Sequence, residues 1–326
     1  MQGPIAVTGA TGFVGSHLVR MLRAEGLPVR GVVRAPGRAA ALRALGCQVT
    51  TGDVQDRTSL VAAFEDCAAV VHLVAVIRER GAQTFEAINR IGVANAVAAA
   101  SAAGCSRFVH LSALGAAPDG PRYLRSKWAG EQEVRTGGLP FVIFRPSILV
   151  GRGGGAATQL ADVVRFGPWY PLVLLMGGRR VFGRLAALLP IVPVLGSGRY
   201  RSMPVALDDV LPALRQALER DDVLGGTYEI GGPEALTYDA LIRTVAQVLG
   251  LRRVLVHLPG PLARAVVALF SLLPDPPITR EEAAALFIDN VCDNAPAVRT
   301  FGLTLRPVEQ ALREALAAPE AKSSPG

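Results

Sequence analysis

The sequence is poor in the residues that build disulfide frameworks and metal sites. It has only four cysteines, and no two of them stand in C-x-x-C spacing: Cys47, Cys67, Cys105 and Cys292. Widely separated cysteines of this kind are typical of small buried hydrophobic residues in a reducing compartment. We therefore expect neither a metal site nor a disulfide frame.

Charged residues are also scarce, at 19% of the chain, whereas 50% of the residues are hydrophobic and the mean hydropathy is +0.34. A chain of 326 residues with this composition can bury a large core, and it is not the composition of a disordered protein. No basic segment followed by an apolar one precedes the first predicted strand, as a secretory leader would require. The expected location is therefore the cytoplasm.

Lysine is nearly absent. The net charge of +7 comes from scattered arginines, without a long basic run or interleaved aromatic residues. This pattern indicates a solvated basic surface and argues against nucleic acid as a partner. Of 34 basic residues only Lys127 and Lys322 are lysine, and Lys322 lies in the tail, so the folded part is expected to hold a single lysine.

A glycine-rich turn stands near the start of the chain, between a predicted strand and a predicted helix. The apolar run Ile5 to Val7 is followed by the residues TGATGFVG, 8–15, and by a helical pattern over 17–22. Glycines let the backbone turn tightly and approach a pyrophosphate, while a helix N-terminus presents N–H groups and partial positive charge. The order of strand, turn and helix predicts a dinucleotide cradle.

This T-G-x-x-G-x-x-G spacing resembles the short-chain dehydrogenase/reductase superfamily, in its extended or atypical, epimerase/dehydratase-like branch. The resemblance covers most of the chain and implies an α/β fold: a Rossmann-type doubly wound parallel sheet with a smaller, mainly helical C-terminal lobe. It also implies cofactor contacts at six residues of the turn: Gly9, Thr11, Gly12, Phe13, Val14 and Gly15.

A second motif, Tyr123 and Lys127, lies in a segment predicted to be helical from Arg122 to Arg135. A spacing of four places both side chains on one face of the helix. Tyrosine ionises near ~10, so acid–base work at neutral pH needs a nearby cation, and an ammonium can also reach ribose hydroxyls. In the resembled family the tyrosine of Y-x-x-x-K donates or accepts the proton and the lysine anchors the ribose, which implies these roles for Tyr123 and Lys127.

One departure weakens the case for catalysis. Most active members of the superfamily end the fifth strand with two hydroxyl residues, the second of which polarises the substrate, whereas this chain has Ser112-Ala113. Either Ser112 substitutes as a catalytic residue or the set is incomplete. The segments LSALGA, 111–116, and YLRSKWAGE, 123–131, resemble in particular the 39-kDa nucleotide-binding accessory subunit of respiratory complex I, which keeps the Y-x-x-x-K pair without the rest of the set.

Further residues are predicted to contact the dinucleotide. Arg34 follows the second predicted strand, 29–33, where an arginine accommodates a 2′-phosphate, so NADP(H) is preferred and NAD(H) stays open. In the resembled family the remaining contacts, to the adenine, the dinucleotide and the nicotinamide, correspond to Asp53, Val54, Leu73, Val74, Ala75, Pro146 and Ile148. His72, inside the apolar run 69–76, is predicted to be a satisfied core histidine.

The alternation of strands and helices breaks beyond Gly151, which sets the predicted domains. Residues 1–151 form the NAD(P)-binding domain, with strands returning around 199–232. Residues 152–198 and 233–318 form the C-terminal lobe for a substrate or partner, and 319–326 form a disordered tail. Within the lobe, Thr237 is predicted to cap an amphipathic helix that ends at Gly250.

Two apolar segments of the lobe are unusual. Residues 166–195 contain Trp169, Tyr170, an aliphatic run over 172–176 and three arginines, at 179, 180 and 184, and residues 261–273 form a second run. Neither reaches the ~20 uninterrupted apolar residues of a spanning helix. The first segment is either core or a substrate lid, or it docks on a partner of a respiratory complex or on the inner face of the membrane.

Two functions compete. The first is an NADP(H)-binding oxidoreductase, or an epimerase or dehydratase, that acts on an unknown small molecule through the Tyr–Lys pair. The alternative is a catalytically weak NADPH-binding accessory or assembly subunit of a membrane assembly similar to complex I. The Tyr–Lys pair favours the first, and the missing hydroxyl and the apolar segment favour the second. A soluble NADP-sensing regulator is a third reading, without a feature of its own.

Overall fold

A computed structural model describes residues 3–176, 179–271, 276 and 278–317. These residues form two units, the first from 3–147, 207–231 and 292–304 and the second from the described parts of 148–206, 232–291 and 305–317. The units divide the chain at other points than the sequence-based boundaries, because part of the predicted returning segment belongs to the second unit. The predicted disordered tail, 319–326, lies outside the described residues.

Strands within the described residues are β1 (Ile5–Thr8), β2 (Val29–Val33), β3 (Gln48–Thr51), β4 (Ala69–His72), β5 (Arg107–Leu111), β6 (Phe141–Pro146), β7 (Leu149–Val150), β8 (Ile191–Leu195), β9 (Arg201–Ser202), β10 (Val205–Ala206), β11 (Thr227–Ile230), β12 (Leu236–Thr237) and β13 (Val254–Leu258).

Helices within the same residues are α1 (Phe13–Ala24), α2 (Ala40–Ala44), α3 (Arg57–Phe64), α4 (Gly92–Ala102), α5 (Arg122–Thr136), α6 (Gly155–Phe166), α7 (Tyr170–Met176), α8 (Arg179–Leu188), α9 (Leu207–Gln216), α10 (Tyr238–Val248), α11 (Gly260–Phe270), α12 (Arg280–Leu286), α13 (Ala295–Phe301) and α14 (Val308–Leu316). Short 3₁₀ turns cover Pro36–Ala39 and Gly167–Trp169, and a π-helical turn covers Phe85–Ile91.

The first unit is built on a seven-stranded, wholly parallel sheet in the order β3-β2-β1-β4-β5-β6-β11. Ile5 of β1 pairs with Val29 on one side and with Ala69 on the other. β1 and β4 are buried along their whole length, as expected for apolar strands with both faces covered. The predicted Rossmann-type doubly wound fold is confirmed.

The strand order reverses at β1, whose neighbours are β2 and β4. In open α/β sheets, ligands bind outside the carboxyl ends of the strands at such a switch point. The glycine turn follows β1, and residues 73–75 follow β4, so both predicted dinucleotide contacts lie at this edge of the sheet.

The fourth strand is shorter than the apolar run 69–76 predicts. It ends at His72, because the Asn89 side chain bonds both the main-chain N–H and the carbonyl of Val76, at 2.9 and 3.0 Å. A side chain thereby replaces the ladder bonds that a neighbouring strand would supply. Residues 73–76 form an irregular segment at the sheet edge.

The second unit is mainly helical, as predicted for the C-terminal lobe. Short two-stranded ladders join β7 to β10, β8 to β13 and β9 to β12. Its core packs α6, α10 and α14 together through residues such as Ala161, Ile242 and Leu312, each fully buried. Thr237 caps α10 by accepting a hydrogen bond from the N–H of Ala240, which confirms the predicted cap, although the helix ends at Val248.

Candidate functional site

The glycine turn after β1 has a shape that only glycine tolerates at two positions. Gly9 has a φ of +70°, and its carbonyl accepts a 2.9 Å hydrogen bond from the N–H of Gly12. A Cβ added at Gly15 would lie 2.2 Å from the Gly9 carbonyl oxygen. The backbone of α1 at Gly15 therefore packs directly against the backbone of Gly9 and Ala10 in the turn.

The N-terminus of α1 faces this turn and carries no side-chain cap, since Gly12 occupies the capping position. The first N–H groups of a helix need an outside partner, and an anion can supply it. Thr11 and Gly12 are exposed, whereas Phe13 and Val14 are partly buried. A cradle that a side chain would fill, beside an uncapped helix start, fits a dinucleotide pyrophosphate.

The segment after β4 lies directly against the turn. A Cβ at Gly9 would be 3.4 Å from the carbonyl carbon of Leu73 and from Cγ2 of Val74, and Ala75 is exposed beyond them. Asn89 holds this segment and also donates a 3.0 Å hydrogen bond to Oγ of Ser126 on α5. One buried asparagine thus links the dinucleotide edge to the helix that carries Tyr123.

The residues predicted around the adenosine half occupy two places. Arg34 directly follows β2 and is exposed. The Asp53 carboxylate accepts a 3.0 Å hydrogen bond from the N–H of Gln55, and the carbonyl of buried Val54 accepts a 2.8 Å bond from the Asn95 side chain. Asp53 therefore shapes its own turn, while the Arg34 guanidinium lies in solvent at the strand end.

Tyr123 and Lys127 lie one turn apart on α5. Tyr123 is half-buried, with its ring centroid 6.0 Å from that of Phe85, and burial raises its pKa to about 12. Lys127 is 1% exposed, and its ammonium donates a 2.9 Å hydrogen bond to the carbonyl of Leu111, the last residue of β5. Burial lowers the pKa of Lys127 to about 8, against an opposing attraction from Glu131.

Glu131 continues the same helical face and was missed by the sequence reasoning. It is fully buried and accepts hydrogen bonds from Nε and Nη2 of Arg145, at 2.8 and 2.7 Å, and from Nη2 of Arg135 at 3.3 Å. A buried carboxylate needs such partners, because desolvation of an unpaired charge is costly. The spacing of four that links Tyr123, Lys127 and Glu131 could have indicated this residue.

The hydroxyl of Ser112, which was considered as a catalytic group, has a hydrogen-bond partner inside the protein. Its hydroxyl donates a 2.6 Å hydrogen bond to Oε1 of Glu131, and its N–H bonds the carbonyl of Phe144 at 2.7 Å. A hydroxyl has one hydrogen to donate, and here the buried carboxylate receives it. In this arrangement Ser112 does not offer a donor to a substrate.

His72 lies in the core, as predicted, but only one of its ring nitrogens has a partner. Nδ1 lies 3.0 Å from Oγ1 of Thr8, whereas among the described residues Nε2 is buried without a hydrogen bond, as are both ring nitrogens of His110. The two rings stack at 5.6 Å. Burial, reinforced by the charge of Lys127, lowers the pKa of His72 to about 3, so the ring is neutral at neutral pH.

Pro146 and Ile148 fall on either side of the division between the units. Pro146 ends β6, and its carbonyl accepts a 2.9 Å hydrogen bond from the N–H of Leu114. Ile148 begins the second unit, where it bonds Val205 through its carbonyl and lines a cavity of that unit.

The arginines of segment 166–195 are not alike. Arg179 bonds the buried carboxylate of Asp162 through two nitrogens, at 2.6 and 3.1 Å, and its guanidinium lies 5.0 Å from the ring centroid of Phe166. Arg179 is therefore committed to the fold. Arg184 is exposed, and the side chain at 180 lies outside the described residues.

Large apolar side chains are exposed in the same segment. Leu174, Leu175 and Met176 on α7 are 49%, 60% and 70% exposed, and Leu188 at the end of α8 is 82% exposed. None of the helices in the described part of the chain combines the length and apolar character that crossing a bilayer needs.

Comparisons with known proteins identify NAD(P)H-binding relatives of this chain. The family model for NAD(P)H-binding matches residues 9–163. The ceramide reductase of Caulobacter vibrioides is 32% identical over 282 residues, which covers 85% of this chain and 81% of that protein. Subunit 9 of the mitochondrial NADH dehydrogenase [ubiquinone] 1 alpha subcomplex from Arabidopsis thaliana is 30% identical, over 80% of this chain and 62% of that protein.

Solved structures share the fold. The NADPH-dependent quinone oxidoreductase QOR2 of Escherichia coli, complexed with NADPH, superposes with a TM-score of 0.70 over 94% of this chain and 98% of that one, at 20% identity. The UDP-glucose 4-epimerase of Thermotoga maritima superposes with a TM-score of 0.69 over 96% and 97%, at 18% identity. At such identities the likeness extends to the fold alone.

Proposed function

The chain belongs to the NAD(P)-binding, Rossmann-type family of short-chain dehydrogenases/reductases and epimerases, and on that premise we propose that it is an NADPH-dependent reductase with Tyr123 and Lys127 as its acid–base pair. The observation that carries the proposal is the pair itself. The only lysine among the described residues is fully buried, one helical turn from the half-buried Tyr123.

The proposed chemistry divides between cofactor and protein. A bound NADPH would supply the hydride for the electrophilic carbon of the substrate, and Tyr123 would donate the proton that neutralises the resulting oxyanion. Burial raises the pKa of Tyr123 to about 12, which keeps the hydroxyl protonated and ready to donate. Lys127 would bind the ribose and, by its charge, hold the phenolate after the transfer.

We favour reduction over epimerisation or dehydration, because the relative with 32% identity is a ceramide reductase. A solved epimerase shares the fold, but that likeness carries no argument about chemistry. We propose NADP(H) over NAD(H), because the exposed guanidinium of Arg34 at the end of β2 suits a 2′-phosphate.

The test is NADPH oxidation by the whole chain with ketones, quinones and long-chain carbonyl compounds as acceptors. We expect turnover by the wild type and a loss of about 10²-fold or more in Tyr123→Phe. Tyr228→Phe is the matched control, because it removes the same hydroxyl from β11 and is expected to keep full activity. Equal rates in Tyr123→Phe and the wild type would contradict the proposed acid.

A second candidate is a catalytically weak NADPH-binding accessory subunit of a membrane assembly. Two observations favour it: the Ser112 hydroxyl is bonded to Glu131, and relatives include the NADH dehydrogenase subunit 9 of Rattus norvegicus, 28% identical over 95% of this chain. Under this reading NADPH binds and protects the fold from heat, but no acceptor is reduced.

We also propose that exposed α7 and α8 place the protein peripherally at the inner face of a membrane. Because Arg179 is paired with Asp162, the apolar residues of α7 and the exposed Arg184 would carry the contact. Flotation with anionic vesicles should recover the intact chain at low salt and less of a Leu174→Ser/Leu175→Ser variant. If the intact chain stays in the soluble fraction, the docking proposal fails.

A further inference from the structure

The second unit contains a cavity of about 500 Å³. Its walls come from five helices and three strands, and most of the lining is aliphatic or aromatic, with side chains such as Leu160, Leu241, Val266, Phe270 and Leu286. Small-molecule sites are commonly ~300–1,000 Å³ and mostly apolar. All of the residues that line the cavity belong to this unit.

Three of the polar side chains that line the cavity, those of Glu282, Tyr200 and Arg201, have partners in the protein. Glu282 closes a capping box with Thr279 at the start of α12. The hydroxyl of Tyr200 donates a 3.2 Å hydrogen bond to the carbonyl of Leu195, and its ring lies 5.2 Å from that of Tyr238.

Arg201, at the same wall, bonds the carboxylate of Asp289 through Nε and Nη2, at 2.9 and 2.8 Å. These groups already have hydrogen-bond partners. A polar group of a ligand that entered the cavity would lose its hydrogen bonds to water and would gain none from these side chains, which costs free energy. The lining therefore suits a hydrocarbon.

Two helices of the wall are apolar on both sides. α11 turns Val266 and Phe270 toward the cavity, whereas its Leu262 and Leu269 are 49% and 65% exposed. α7 behaves alike, since its first two residues, 170 and 171, line the cavity and residues 174–176 are exposed. These two helices therefore carry apolar side chains both in the cavity and on their outer sides, where an alkyl chain longer than the cavity could contact them.

From this arrangement we propose that the cavity binds the alkyl chain of an amphipathic, lipid-like substrate. The inference deepens the proposed reductase function and rests on it only for the role of the bound molecule as substrate. Binding of the chain follows from the cavity alone. A compact apolar molecule would not need the exposed apolar side chains on the outer sides of α7 and α11.

Binding is measured on the full chain with dansyl-aminoundecanoic acid as fluorescent probe, and with decanol, dodecanol and tetradecanol as competitors below their solubility limits in water. We expect saturable binding at one site, with affinity rising by about fourfold per added methylene until the cavity is full. Two arms separate the sources of the alkyl chain: the alcohols in solution represent a soluble amphiphile, and tetradecanol in phosphatidylcholine vesicles represents a bilayer lipid. Uptake in either arm supports the proposal.

Two matched pairs of variants locate the binding. Ala285→Phe and Val266→Phe fill the cavity, whereas Ala284→Phe and Ala265→Phe place the same ring on exposed positions of the same helices. Filling should weaken the probe about tenfold or more, and each control should stay within about twofold of the wild type. Thermal denaturation of all four shows which are folded, and two pairs keep the test decisive if one filled variant is not.

Equal weakening in a filled variant and its control would overturn the proposal, as would binding that never saturates. So would tight binding of naphthoquinone or cholesterol together with failure of the alcohols, because the cavity would then take a compact ring system. NADPH oxidation is measured in parallel. If the alcohols bind as expected but no acceptor is reduced, the reductase function is refuted and the ligand class of the cavity is supported. If acceptors are reduced but the alcohols do not bind, the ligand class is refuted and the reductase function is supported.

Discussion

Replacing Glu131 by glutamine should be among the most destabilising single changes in the first unit. Glu131 is fully buried, and its two carboxylate oxygens accept hydrogen bonds from Arg145, Arg135 and Ser112. After the change the ion pair with Glu229, at 3.2 Å, is what remains among the described residues to balance the charge of the largely buried Arg145. Breaking a buried ion pair from one side costs ~3–5 kcal/mol, and the glutamine oxygen recovers part of this, so we expect a loss of about 3 kcal/mol.

Glu133→Gln is the matched control, two residues along the same helix. Glu133 is 30% exposed and bonds Arg90 at 2.8 Å, so the same change there should cost less than about 1 kcal/mol. The assay is thermal and urea denaturation at neutral pH in saturating and zero NADPH. About 3 kcal/mol corresponds to a fall in Tm of roughly 6–10 °C in a domain of this kind.

The change should also act on Lys127, one turn away. Glu131 raises the pKa of Lys127 against the larger effect of burial, which holds it at about 8. Without the carboxylate that pKa falls further, so cofactor binding should weaken at a lower pH than in the wild type. If Glu131→Gln and Glu133→Gln lose equal stability and keep the same pH profile, the buried network does not support the site.

The remaining predictions concern the cofactor, the pair and the core histidine. Arg34→Asp should reverse a preference of about tenfold to hundredfold for NADPH over NADH, and equal titration curves for the two cofactors in the wild type would refute the role of Arg34. Lys127→Ala should weaken NADPH binding while Tyr123→Phe leaves it nearly intact, as calorimetry can show; an affinity that ignores Lys127 would contradict its ribose contact. Because burial lowers the pKa of His72 to about 3, the unfolded chain takes up the proton first as the pH falls from about 6.5, and stability is lost over that window. Between about pH 6.5 and 4.5 the wild type should therefore lose about 2 kcal/mol more than His72→Asn in urea titrations, and parallel curves would refute this.

Sequence alone carried the local features of this protein. The turn at Gly9 to Gly15 depends on a few adjacent residues, and a pair such as Tyr123 and Lys127 shares a helical face by spacing alone. The alternation of apolar strands with helices predicted the doubly wound fold, and the cap at Thr237 needed only a threonine before an amphipathic pattern. These features are local because the interactions that create them join residues a few positions apart.

The tertiary structure decided what depends on distant pairings. Glu131 has its buried hydrogen-bond donors only because β5 and β6 lie side by side, which places Ser112 and Arg145 next to its carboxylate. For the same reason the predicted strand over 69–76 stops at His72, because the N–H of Leu73 bonds Oγ1 of Thr8 and the main-chain groups of Val76 bond the side chain of Asn89.

In the second unit, a run of apolar residues predicts an apolar helix, but it does not predict which face of that helix is buried. The α11 residues Val266 and Leu269 are equally hydrophobic in the sequence, yet one lines the cavity and the other is exposed. Arg179 and Arg184 look equivalent as well, and only the position of Asp162 on α6 ties the first into the fold. Hydrophobic burial and ion pairing act between surfaces that only the folded chain brings together. A local sequence pattern therefore does not determine which of these side chains are buried or paired.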